Sequence, residues 1–127
     1  MSTLTAAFEV TRDTAHREVF YRLSGLFTQD KVDELFAELF SASQPFIEDK
    51  GGFRVIGDLR EISVQTREIS DRIRFSQESS ARAGVTKMAI VYSSILVMQQ
   101  FRRNSEALNL GLFEDMDEAY AWLRSKD

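Results

Sequence analysis

The sequence predicts a single α/β domain over residues 1–127, in the order β-β-α-β-α-β-α-β-α, with a mixed, mostly parallel sheet and helices packed on it. Three observations lead there. Short stretches with strand periodicity recur between segments with helical periodicity. The run Lys87-Met88-Ala89-Ile90-Val91-Tyr92 is almost unbroken in apolar character, as in a parallel strand covered on both faces. Strand–helix alternation over the last two-thirds implies right-handed crossovers, with one antiparallel edge ahead of them.

The first strand is read from Phe8-Glu9-Val10, which alternates apolar and polar residues. Thr11 to His16 is polar and turn-like. Glu18 to Leu23 resumes β character with Val19, Tyr21 and Leu23 on one face, so an antiparallel hairpin is expected. Thr28 then opens a helix as its N-cap, with Asp30 in the first turn. Val32, Leu35, Phe36, Leu39 and Phe40 make a wide apolar stripe opposite Asp33, Glu34 and Glu38. Pro45 and Gly51-Gly52 are expected to stop it.

Phe53 to Leu59 reads as a buried strand with Asp58 near its end. A polar helix follows from about Thr66 to Arg82, anchored by Ile69 and Ile73. Glu68/Arg72, Arg74/Glu78 and Glu78/Arg82 are spaced to pair along it, and Gly84 is placed to end it. After the strand Lys87–Tyr92, Ser93 or Ser94 can cap a helix running through Ile95, Met98 and Phe101 to about Leu108. Leu110–Phe113 is the last strand. Asp115 and Glu118 form a capping-box-like start to a final helix, with Met116, Ala119, Tyr120 and Leu123 inward.

Composition narrows the chemistry. The chain is 43% hydrophobic and 28% charged, the balance of a globular protein. With no Cys and one His, disulfides, thiol nucleophiles, thiolate metal sites and multi-His clusters are excluded. A net charge of −4 without an uncompensated basic run argues against nucleic acid. The residues from Met1 to Phe8 lack a basic segment and a long apolar core, so no secretory signal is expected and the default compartment is the cytoplasm. No apolar run approaches the ~20 residues of a membrane span. Neither glycine-rich phosphate motif occurs, and no cofactor or metal is expected.

Two pieces of text carry a resemblance. Leu112-Phe113-Glu114-Asp115-Met116-Asp117-Glu118-Ala119-Tyr120-Ala121-Trp122-Leu123 joins an aromatic strand end, an acidic turn and an Asp-Glu-Ala-x-x-Trp-Leu helix. Earlier, a strand ending in Asp58-Leu59 leads into a loop and helix. With the element order, these resemble the STAS fold of anti-sigma-factor antagonists, more narrowly its SpoIIAA-like branch, related in architecture to lipid-binding CRAL-TRIO domains. The resemblance covers nearly the whole chain.

It implies a regulatory binding domain rather than an enzyme. The partner, such as an anti-sigma factor kinase, would dock through the loop and helix after the third strand. In such proteins a Ser or Thr at that helix start is phosphorylated, which breaks the complex. The usual Asp-Ser-Ser-Gly-like text is replaced here by Ser63-Val64-Gln65-Thr66-Arg67. Thr66 is the nearest hydroxyl and Ser63 stands behind it. The resemblance also implies an alternative function, a carrier of a lipid or other small apolar ligand between sheet and helices. The ten Phe residues motivate it.

Each candidate has a plainer reading. Thr66 is a good N-cap, and a phosphate there would meet free N–H groups and the positive end of the helix dipole, beside Arg60 and Arg67. Asp58, a candidate for partner contact, could also be a carboxylate base or Mg²⁺ ligand at the sheet edge, but a lone carboxylate is not a metal site, and Asp at a strand end more often bonds loop N–H groups. Arg67 and Arg74 lie on a helix that reads mainly as a solvated charged face. Ile95-Leu96-Val97-Met98 carries more apolar groups than one helix face buries, so Ile95 and Met98 are candidates for contact with a partner or a second copy of the chain. His16 reads as a solvated loop residue, because no nucleophile or orienting acid accompanies it. A hydrolase or transferase reading lacks such a set altogether.

Overall fold

The computed structural model describes residues 5–126. The elements are β1 (Ala7–Asp13), β2 (Glu18–Gly25), α1 (Gln29–Asp49), β3 (Phe53–Ile62), α2 (Arg67–Ala83), β4 (Val85–Val91), α3 (Ile95–Asn104), β5 (Leu110–Phe113) and α4 (Met116–Leu123). Their order is the expected one. The strands form a five-stranded sheet in the order β1-β2-β3-β4-β5. β1 is antiparallel to β2, and every later pairing is parallel.

Each crossover from β2 onward moves one strand in the same direction. Right-handed connections then place α1, α2 and α3 on one sheet face. The core shows this. Val19, Tyr21, Val55, Met88 and Ile90 pack in one cluster with Val32, Ile73 and Phe101 of the three helices. Ile56, Ala89 and Val91 point the other way and meet Ala119 and Leu123 of α4.

The caps are those the residues predict. Thr28 accepts from Lys31 N at 3.2 Å, and Asp115 from Glu118 N at 3.0 Å. Ser94, of the two candidates, caps α3. Gly84 ends α2 at φ +115, where a side chain would be strained.

Local rules lost at several places. β1 continues through Thr11 to Asp13, because pairing with β2 outweighs polar composition, and the turn begins at Thr14. Pro45 does not stop α1, which runs on to Asp49. The continuation is held by packing: Phe46 is buried, its ring 5.6 Å from that of Phe53, with the Arg17 guanidinium 4.8 Å above it. β3 runs to Ile62, so Asp58 lies inside the strand. α3 ends a turn early, at Asn104, and buries Val97, Gln100, Phe101 and Asn104 rather than Ile95 and Met98. The expected pairs along α2 give way to other partners: Arg72 pairs with Asp33 of α1, Arg74 reaches Arg103 O at 3.5 Å, and Arg82 reaches Ser79 Oγ at 3.3 Å.

Gly57 has a steric reason. It pairs with Tyr21, whose ring lies across it. A Cβ there would stand 2.4 Å from Tyr21 Cζ and 2.6 Å from the hydroxyl. Gly57→Ala should therefore cost ~1–3 kcal/mol by overpacking, read from urea denaturation. Combined with Tyr21→Val, the two losses should be less than additive; full additivity would show that the residues do not meet.

Candidate functional site

Two regions of the described structure bring candidate residues together. The first is the edge at the C-terminal ends of the parallel strands. Asp58 is only 3% exposed and is fully engaged. Arg60 donates to Asp58 from its backbone N at 3.2 Å, from Nε at 2.9 Å and from Nη2 at 2.9 Å. Arg22 Nε adds a bond at 3.1 Å. These donors, Arg60 first, hold the carboxyl well below its ordinary value, at about 2, against the opposing effect of burial. Asp58 thus acts on the surface through Arg60, whose own carbonyl accepts from Ser93 Oγ at 2.9 Å.

The β3–α2 loop is clamped by a residue that the sequence did not mark. Gln65 is buried. Its backbone N donates to Gln100 Oε1 at 2.9 Å, and Gln100 Nε2 donates back to Gln65 O at 3.0 Å. The Gln65 side chain accepts from Phe27 N at 2.8 Å and donates to Gly25 O at 3.0 Å and Ser63 O at 2.6 Å. One glutamine therefore ties β2, the loop and α3 into a rigid edge. A lone Gln in a polar stretch carries no periodic signal, so only the fold reveals it.

The candidates fall around this clamp. Thr66 is exposed and is the N-cap of α2, its hydroxyl accepting from Ile69 N at 3.4 Å. Ser63 is half-buried, while Arg67 and Arg74 are exposed. Ile95 is exposed with Leu96, and Val64 is exposed on the neighbouring loop. Met98 is half-buried. The edge therefore gathers Val64, Ile95, Leu96, Arg60 and Arg67; Arg74 stands further along α2.

The second region is a cleft between α1 and α2. These helices run parallel, both starting from the same sheet edge, and the Asp33–Arg72 ion pair ties them near their starts. Beyond that tie they enclose a cavity of about 400 Å³, in the range of small-molecule sites. Its floor includes Tyr21 and Val55 of the sheet. Phe40 and Phe75 line it and are nonetheless 61% and 67% exposed, which puts them at its mouth. Phe40 belongs to the apolar stripe of α1, yet it stands at the opening of the cleft rather than in the core. The polar side chains on the walls include Ser43, Ser76, Ser79 and Ser80, and no Lys, Arg, Asp, Glu or His is among the described lining residues.

A third group does not make a site. Asp13, His16 and Glu18 offer ligand atoms within 4.8 Å of one another. However, Arg124 holds both oxygens of buried Glu18, at 2.8 and 2.9 Å, and lies 3.8 Å from Asp13. That guanidinium already supplies the positive charge. His16 is exposed and pairs with Asp13 at 2.8 Å. Among the described residues, no helix is long and apolar enough to cross a membrane.

An antiparallel edge leading into successive parallel crossovers, three helices on one face and a loop-plus-helix edge after the third strand define a STAS-like α/β domain. More narrowly, the chain belongs to the SpoIIAA-like family, whose model matches residues 19–124. Its fold is similar to that of an anti-sigma factor antagonist from Mycobacterium paratuberculosis, at 11% identity and a TM-score of 0.65, over 95% of this chain and 96% of that one. It is equally similar to an uncharacterised DUF3478-family protein with a SpoIIAA-like fold from Shewanella loihica PV-4, at 15% identity and a TM-score of 0.65, over 93% of each chain. No curated protein matches the chain.

The Asp58 cluster predicts an acid response. Because the folded carboxyl ionises more readily than the unfolded one, its stabilisation is present above the ordinary value of 3.8 and is lost as pH falls to about 2. Asp58→Asn should cost ~1–3 kcal/mol at neutral pH, since Arg22 and Arg60 then lose a charged acceptor but keep access to water. Urea denaturation at a series of acidic pH values should show the gap between variant and wild type narrowing through that window. A constant gap would disprove the assignment.

Proposed function

We propose that this chain is a non-catalytic regulatory binding domain, docking a protein partner through the β3–α2 loop and the start of α2. The observation that carries this reading is the grouping of exposed Val64, Ile95 and Leu96 at one sheet edge, over a loop held rigid by Gln65 and Gln100. Apolar groups rimmed by arginines are the make-up of a contact surface. Rigidity lowers the entropic cost of using it. Membership of a family that shares its fold with an anti-sigma factor antagonist supports the same class of role.

A regulator of this kind can be switched at Thr66. A phosphate on that cap would face the free N–H groups of the first turn of α2 while adding roughly −2 charge to the docking edge. Intact-mass analysis after incubation with a cognate kinase tests this; label away from residues 63–66, or none, removes it.

Docking is tested by substitution. Arg67→Glu with Leu96→Asp should leave the fold intact by circular dichroism and weaken capture of the wild type's partner by about 30-fold or more, the effect of losing a hot spot. Arg67→Glu with Arg74→Glu should also weaken capture. An unchanged captured set for both pairs would show that the docking face lies elsewhere. If the captured molecule is a second copy of the chain, sedimentation will show a dimer that the same changes dissociate.

The cleft between α1 and α2 favours a second reading, a carrier of a small apolar molecule. An open apolar volume of about 400 Å³ beneath two exposed Phe rings is the specific support. Ser76→Trp, which places an indole in the cleft, should abolish uptake of an apolar fluorescent probe. Unaltered uptake would sink this reading.

A further inference from the structure

We propose that the α1–α2 cleft takes an uncharged, mainly apolar molecule bearing one hydroxyl or carbonyl oxygen, and that this oxygen meets the hydroxyl of Tyr21. The inference rests on the ligand reading of the cleft and specifies its chemistry.

The walls exclude charge. A carboxylate or phosphate leaving water for this cleft would find no cation among the described lining residues. An ion buried without a partner is strongly disfavoured, so sites built for anions carry Arg or Lys within reach. The serines Ser43, Ser76, Ser79 and Ser80 offer hydrogen bonds without charge. They suit water or a second neutral oxygen near the mouth. Apolar side chains make up most of the remaining wall, so displacing water from it with an apolar body is favourable.

The floor supplies a specific polar contact. Tyr21 lines the cleft and is 4% exposed. Its hydroxyl makes no hydrogen bond with the described residues and is not among their fully enclosed unpartnered polar atoms, so the oxygen reaches open space. Burial pushes the phenol up from its ordinary value, so it is protonated at neutral pH and able to donate. A carbonyl accepts that proton directly, and an alcohol can accept it or donate to the phenol oxygen. Gly57 is what allows the phenol to lie there: any side chain at that position would meet the ring.

The experiment is calorimetric titration of the full chain at neutral pH with two probes of equal length, decan-1-ol and decanoate. The wild type should bind decan-1-ol and bind decanoate at least about ten-fold more weakly, since only the anion must be desolvated unpaired. Tyr21→Phe keeps the ring and should weaken decan-1-ol binding by about 2- to 10-fold, the effect of one net hydrogen bond. As a check that needs no variant, NMR of the Tyr21 ring carbon that carries the hydroxyl should show a shift on adding decan-1-ol to the wild type. Decanoate binding as tight as decan-1-ol, full affinity in Tyr21→Phe, or an unmoved Tyr21 resonance overturns the proposal while leaving the cleft a ligand site. If neither probe binds the wild type, the ligand reading falls with it.

Discussion

The handedness of parallel crossovers is the constraint from which the rest of this structure follows. Three connections of the same hand, each advancing one strand, put α1, α2 and α3 on one sheet face. The other face has α4 packed on β3, β4 and β5. On that side two carboxylates are taken out of water: Glu18 on β2 and Asp58 on β3. Each is matched by arginines whose stems shield the sheet and whose heads stay partly hydrated. Hydrated heads lower the desolvation cost that makes fully buried ion pairs poor stabilisers. Strand alternation places both carboxylates opposite the face that the three helices fill.

Much of this architecture was legible because it depends on periodicity and caps. Val19, Tyr21 and Leu23 share a strand face in the sequence and in the core. Thr28, Thr66 and Asp115 are N-caps in both. What the sequence hid depends on contacts between segments far apart. Pro45 reads as a stop until Phe46 is seen against Phe53. Phe40 belongs to a helical stripe, yet the stripe is wider than the contact α2 offers. Arg72 has Glu68 at the right spacing but meets Asp33 across the cleft. The surplus of apolar residues in Ile95–Met98 was visible; which of them would stay outside was settled only by how α3 lies on the sheet. Tyr21 and Gly57 were each unremarkable alone. Their meaning lies in a parallel register, which no local pattern encodes.

The two candidate sites differ in how they are held. At the sheet edge the β3–α2 loop is held chiefly by Gln65, which alone reaches β2, the loop and α3. Such an element keeps its shape and suits recognition that relies on a fixed surface. The cleft is the reverse. Between its tie at Asp33–Arg72 and its far end, α1 and α2 share few contacts, and aromatic rings stand open to water. Regions with sparse apolar packing are the ones that open locally at low free-energy cost. The edge and the cleft therefore differ in how much free energy it costs to deform them.

Helix α2 belongs to both. Its start carries Thr66 and Arg67 at the sheet edge, and further along, Ser76, Ser79 and Ser80 line the cleft. Ile69 and Ile73 fix its inner face to the core, and Asn104 of α3 reaches it through Ser70 at 2.7 Å. The start of α2 is fixed by the Gln65–Gln100 clamp and the Asp33–Arg72 tie, while its later turns border the open cleft. The partner and ligand readings are therefore compatible, because they call on different stretches of one helix.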